Sequence, residues 1–336
     1  MSQKNTACLT GSGSCGLTRR DFIKTTAVGV TATAAASTVA LADKAKKPAA
    51  TSETLAAQLY TTFTAEQKKL CAFPFDHPLR NAVNNNWRIT KSRIGKSFTA
   101  DQQALIREIF QQLHDPQYAD KVMGQVEHDN GQEGFKGCSI ALFGKPGTGK
   151  YEFVLSGRHV TRRCDGDAVE GAAFGGPIFY GHAAKSFNEP ADHAGNIYWY
   201  QGLRANELFQ ALDGKQRKVA LLGEARPEEA SKTVALKGKA ASLAGLPFSE
   251  LTTDQQNLAW QVMTDVLAPF RKKDREESMK YIKASGLEKL HLSYYKNHDV
   301  GNDGVWDVWQ VEGPSMVWYF RGEPHVHTWV HIRQPA

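Results

Sequence analysis

Apolar residues recur every three or four positions through several stretches of the chain. That period predicts helices over Glu53–Phe63, Ala65–Ala72, Ala100–Leu113, Arg204–Leu212, Lys215–Leu222, Asp254–Phe270 and Lys272–Ala284. Several of them begin alike: Thr64, Thr99 and Thr252 each stand three residues before a glutamine (Gln67, Gln102, Gln255), just ahead of the apolar run. In this capping box the threonine hydroxyl accepts the glutamine's backbone N–H, and the glutamine side chain reaches back to the threonine's own N–H. Asp213 and Gln216 form a looser fourth case. The spacing between the boxes is irregular, so they mark helix starts and do not establish a repeat architecture. Elsewhere short apolar runs are bounded by glycine and proline. They predict strands over Ser139–Phe143, Tyr151–Leu155, His159–Arg163, Ala168–Ala173, Pro177–Tyr180, Ile197–Tyr200, Val305–Val311, Ser315–Phe320 and His325–Ile332. Strands linked by such turns pair antiparallel, and helices do not alternate with them as a doubly wound sheet requires. The expected fold class is α+β, with helices packed beside one or two antiparallel sheets.

The N-terminus follows a different pattern. Thr18-Arg19-Arg20-Asp21-Phe22-Ile23-Lys24 has paired arginines, an apolar pair and a lysine, followed by a weakly apolar run to Leu41 and a small-x-small site at Ala40-Leu41-Ala42. This is the twin-arginine export pattern, and the run is too short and too poor in large apolar residues to span a membrane. The expected organisation is a signal peptide over 1–42, a linker over 43–52 and a single α+β domain over 53–336, located in the periplasm or outside the cell. The twin-arginine translocase is then a partner during export. The net charge of +6 falls to +3 in the mature chain, because Lys4, Arg19, Arg20 and Lys24 outweigh Asp21 by three. With no basic cluster interleaved with aromatics, nucleic-acid binding has no support.

Cys71, Cys138 and Cys164 remain after the signal, which allows one disulfide and one buried thiol without choosing the pair. Gly144-Lys145-Pro146-Gly147-Thr148-Gly149-Lys150 fits most of a phosphate-binding loop, yet Tyr151 stands where a magnesium-holding Ser or Thr belongs. An apolar strand follows where that loop needs a helix, so the segment reads as a hairpin turn. Glu127-His128-Asp129 has side chains that could bind a cation but reads first as a solvated turn, and Asp165-Gly166-Asp167 reads as a hairpin tip. His182, His193, His291 and His298 read as hydrogen-bonding loop histidines, while Trp306, Trp309, Trp318, Tyr319 and Trp329 read as strand core ahead of a carbohydrate-binding groove.

Short motifs over residues 70–336 carry a family likeness: Phe73-Pro74-Phe75-Asp76, the Ser/Thr-x-x-Gln helix starts, Ala141-Leu142-Phe143-Gly144-Lys145-Pro146, Gly157-Arg158-His159, Glu312-Gly313-Pro314 and His325-Val326-His327-Thr328. In these the mature chain resembles the domain of unknown function 3500 family, found mostly in exported proteins. Arg158 departs from the family's Gly-His-His at 157–159, and the residues after His327 also differ. The resemblance implies positions and no reaction.

The sharpest chemical signal is His325 to Ile332. Along a strand His325, His327, Trp329 and His331 share one face and Val326, Thr328, Val330 and Ile332 the other. The second face reads as core, so the first is expected to meet a cavity or solvent. His325 and His327 are about 6.6 Å apart along the strand, close enough to lean over one ion, whereas His331 lies about 13 Å beyond His327. The third ligand is expected to be His159, which opens another strand and matches the family's other histidine motif. Three imidazoles with an open position suit zinc or copper. Glu312 is a weaker candidate for general base. The expected function is an exported metal-dependent enzyme acting on an unidentified small molecule, a hydrolase ahead of a copper oxidoreductase. The alternative is a non-catalytic exported protein that binds a ligand or metal.

Overall fold

The computed structural model describes residues 50–182, 195–239, 242–296, 308–322 and 325–335. The twin-arginine segment, most of the linker, His193, His298 and Trp306 lie outside the described residues. Helices α1 (Ser52–Thr61) and α2 (Ala65–Cys71) lead into β1 (Ala72–Phe73), then α3 (Ile94–Ser97), α4 (Ala100–Gln112) and α5 (Ala119–Asp129). Strands β2 (Ser139–Gly144), β3 (Tyr151–Gly157), β4 (Val160–Cys164) and β5 (Ile178–His182) follow. The order then recurs: α6 (Trp199–Ala211), α7 (Gly214–Ala220), β6 (Leu221–Leu222), a short β7 (Leu246–Pro247), α8 (Thr253–Leu267) and α9 (Lys272–Ala284). It closes on β8 (His291–Tyr295), β9 (Val308–Gly313), β10 (Met316–Arg321) and β11 (Val326–Ile332).

The strands make one sheet in the order β1-β2-β3-β4-β5-β11-β10-β9-β8-β6, with β7 beside β8. Pairing is antiparallel except for β1 on β2 and β6 on β8. The fold is therefore α+β. Each half contributes a helix pair, a short parallel edge strand and a four-strand meander, and the last strands of the two meanders meet at the centre. A second reciprocal contact joins the halves: His114 bridges Phe270, with Asp115 N–H donating to the Pro269 carbonyl (3.0 Å) and Arg271 N–H to the Leu113 carbonyl (3.2 Å).

The capping boxes explain this duplication. All four form as predicted, and they come in pairs. Gln67 Nε2 donates to Gln102 Oε1 (2.8 Å) and Gln102 Nε2 to Gln67 Oε1 (3.1 Å). Gln216 and Gln255 do the same at 2.9 and 2.8 Å. The repeat escaped the sequence reading because its unit is a pair of boxes followed by a meander, with insertions of unequal length between them.

Both faces of the sheet are covered, so the meander strands are buried along nearly their whole length. On one face Ile140, Leu142, Phe153 and Leu155 pack with α1, α4 and α5, and Trp309, Trp318, Phe320 and Val330 pack with residues of α6, α8 and α9. The other face is closed by irregular chain: Phe75, Leu79, Trp87 and Ile89 lie over Phe143 and Val154, and Leu222, Ala225, Val234 and Leu236 join the cluster around Tyr319 and Trp329. The expectation that the face of His325, His327, Trp329 and His331 meets a cavity or solvent is corrected for Trp329, which is wholly buried beneath the segment after β6, while His325 and His331 are half-buried. Trp309, Trp318 and Tyr319 are core, as read from sequence. No helix among the described residues is long and apolar enough to cross a membrane.

Other expectations fall for local reasons. Ile197–Tyr200 is not a strand, because Trp199 begins α6. Ala168–Ala173 is a run of turns, consistent with the left-handed backbone at Gly171, Phe174 and Gly175. Asp165 to Asp167 turns the chain into that long connection and is no hairpin tip. Glu127-His128-Asp129 is the last turn of α5. The phosphate-loop-like segment is the β2–β3 hairpin turn, with Gly144 and Gly147 at φ of 74° and 83° and no helix after it. Among the described residues Cys71, Cys138 and Cys164 are free and buried, and burial pushes each thiol up to about 12, which leaves them as inert core residues.

Candidate metal centre

Three imidazoles converge where the central strands meet the β3–β4 turn. His327 lies on β11 opposite Gly181 of β5, and His325 immediately precedes that strand. His159 is the second residue of the two-residue turn closed by the Gly157–Val160 pair, where it takes a left-handed φ of 56°. Such a backbone costs a non-glycine residue on the order of 1–3 kcal/mol, and it persists only where the surroundings hold it. Here His159 N–H donates to the Asn85 carbonyl (2.8 Å), and its own carbonyl accepts Gly181 N–H (3.1 Å). Gly181 is required: a Cβ there would lie 2.2 Å from the Val326 carbonyl oxygen and 3.4 Å from the His159 Cβ.

His325 Nε2 stands 2.9 Å from His327 Nε2, which is 3.1 Å from His159 Nε2. Two of the rings are oriented by carboxylates on the far side. His159 Nδ1 is 3.0 Å from Asp129 Oδ2, and His327 Nδ1 is 2.6 Å from Glu228 Oε2. A carboxylate accepts, so each of these Nδ1 atoms carries the proton and each Nε2 presents a lone pair. Arg321 Nη2 also lies 2.6 Å from His327 Nδ1, but a guanidinium only donates. It pairs instead with Glu228, Nε to Oε1 at 3.1 Å, and so supports the tautomer.

Burial, reinforced by the Arg158 and Arg321 guanidiniums, pushes His159 down to about 3. His325 falls to about 3, from burial and then from His159 and the same two arginines, and burial with Arg321 takes His327 well below its ordinary range. The Nε2 lone pairs of His159 and His327 face each other across 3.1 Å, an arrangement that a cation between them would satisfy. Tetrahedral zinc with ligand nitrogens at about 2.0–2.1 Å sets those nitrogens about 3.3 Å apart, near the observed separations. The three ligand atoms lie within 4.8 Å of one another, and His159, His325 and His327 could hold a metal ion.

Residues 45–335 match the family described as "Protein of unknown function (DUF3500)". The chain belongs to that family. No curated protein and no solved structure matches it.

In this DUF3500 protein the fold brings together the three histidines singled out in the sequence and places the other candidates elsewhere. Glu312 lies two strands from β11 and pairs through Val317 with His331, about 13 Å along the sheet from His327. Its carboxylate is taken up by Arg226, by Lys237 Nζ (3.1 Å) and by Gln310 Nε2 (2.9 Å), so it does not reach the triad as a general base. His331 is separate too, its Nδ1 3.0 Å from the Val234 carbonyl. His182 is buried beside Gln125, outside the cluster.

Sequence reasoning set Asp129 aside as part of a solvated turn and did not single out Glu228. Asp129 had a signal: it continues the buried Val122–Val126 stripe of α5 one turn on, a polar residue on an apolar face. Glu228 had none, since it sits in irregular chain after β6. Replacing Asp129 with asparagine should weaken metal binding about 10–100-fold while the three ligands stay in place. Competition with a chromophoric chelator measures it, and an unchanged affinity would assign the His159–Asp129 contact to packing alone.

Proposed function

We propose that the chain is exported by the twin-arginine route and that the mature protein is a metal-dependent enzyme centred on His159, His325 and His327, a hydrolase ahead of a copper oxidoreductase. Export is supported by Arg19-Arg20 with the apolar run and the Ala40-Leu41-Ala42 site that follow. The observation that carries the metal reading is the pair of carboxylates, Asp129 and Glu228, which turn two Nε2 lone pairs inward onto one point that His325 completes. Zinc there would supply Lewis acidity and a water ionised near neutral pH, while imidazole ligands also suit copper. The protein's own part is to hold three neutral donors on rigid backbone and leave a coordination position open. Against the non-catalytic reading, the described members of its aromatic group, Trp309, Trp318, Tyr319 and Trp329, are all buried.

Elemental analysis of untagged protein should find about one zinc or copper per chain. A His325→Ala/His327→Ala variant should carry none and should lose any metal-dependent cleavage of activated esters. Wild-type protein that stays metal-free after supplementation would end this reading.

A further inference from the structure

Among the described residues, the charges around the triad do not balance once an ion is present. The rings are neutral, and both nearby carboxylates, Asp129 and Glu228, are committed to Nδ1 protons on the side away from the converging nitrogens. Glu228 is further matched by Arg321, which stands opposite His327 in the β10–β11 register. Arg158 is left over. It shares the two-residue turn with His159 and is half-buried, and no carboxylate lies within ion-pair distance of its guanidinium among the described residues. Among the described residues, these two carboxylates and two guanidiniums cancel, so a divalent ion adds two positive charges that no described side chain of this group answers. In a partly buried site such a surplus is costly unless an anion answers it. The Arg158 charge reaches all three rings, adding to the depression of His159, His325 and His327.

We infer that the open position of this centre takes an oxyanion, the carboxylate or phosphate group of a small substrate, with Arg158 as the side chain that recognises it. The inference rests on the metal reading above. A guanidinium presents two parallel N–H donors to such a group, so the anion is oriented as well as attracted. Because Arg158 belongs to the same turn as His159, its position is tied to the ligand's backbone.

The test uses the mature protein loaded with cobalt(II), whose visible spectrum reports ligands entering its coordination sphere. Wild-type protein is titrated with acetate, with inorganic phosphate and with neutral imidazole, and Arg158→Gln and Arg158→Lys are titrated in parallel. The glutamine variant should bind the oxyanions about tenfold more weakly, bind imidazole unchanged and show a flatter salt dependence, while the lysine variant recovers most of the loss. Whether acetate or phosphate binds more tightly assigns the substrate class. Equal oxyanion affinities in wild type and Arg158→Gln, with cobalt bound in both, would overturn this inference and leave the metal centre standing. Failure of the wild-type protein to bind cobalt would overturn both.

Discussion

Removing a metal bound by His159, His325 and His327 should lower the protein's stability by about 4 kcal/mol relative to protein held in metal at a thousandfold excess over its dissociation constant. For a chain of this size that is a fall of about 10 °C in melting temperature. The size follows from linkage: the three ligand atoms are assembled only in the folded state, since His159 and His327 are far apart in sequence and meet through the β3–β4 turn and the β5–β11 pairing. Without the ion, the Nε2 lone pairs of His159 and His327, each with its proton held on Nδ1 by a carboxylate, face one another. The His325→Ala/His327→Ala variant should melt at one temperature with or without chelator. Scanning calorimetry on both proteins decides the matter, and identical wild-type traces in the two conditions would remove the basis for a resident metal.

Replacing Glu152 with glutamine should cost about 3–5 kcal/mol, the other large effect expected in this molecule. Glu152 is wholly buried on β3, and its carboxylate is the counterion of both Arg163 and Arg80, the latter at 3.1 Å. Arg163 is buried as well and donates to the carbonyls of Arg80, Ala82 and Pro177, while Arg80 Nε donates to Phe75 (2.8 Å). The cluster therefore ties the irregular segment after β1 to the sheet it covers. Losing the negative charge strands the buried Arg163 guanidinium where water cannot reach it and leaves the partly buried Arg80 without its counterion. The prediction is checked by denaturant unfolding, where the midpoint should drop with little change in slope. Substituting a residue of Glu312's exposed partner, as in Lys237→Gln, should matter far less, because Lys237 is half-exposed and Arg226 remains.

Much of this architecture is written locally. A threonine three residues before a glutamine satisfies two backbone donors whatever lies around it, so α2, α4 and α8 begin where the sequence alone puts them. Alternation along His325–Ile332 likewise put His325 and His327 on one side of the chain before any partner strand was known, and they meet there although β11 itself begins at Val326. The choice of His159 came from the family likeness and from its position at the start of a strand; its left-handed backbone could not be read from the chain.

Other features needed the tertiary structure. The same glutamines that cap their own helices also bond each other across helix pairs, and this duplication appears only when the pairs are docked. Glu312, polar and well placed in the sequence, is spent on Arg226 and Lys237, while Asp129 and Glu228 arrive at the triad from a helix end and an irregular segment. Capping and strand alternation act over a few residues, so the chain itself determines which elements form and which side chains share a face. Which carboxylate meets which imidazole depends on contacts between residues 30 and 99 positions apart, and only the packing of the two halves around β5 and β11 decides that.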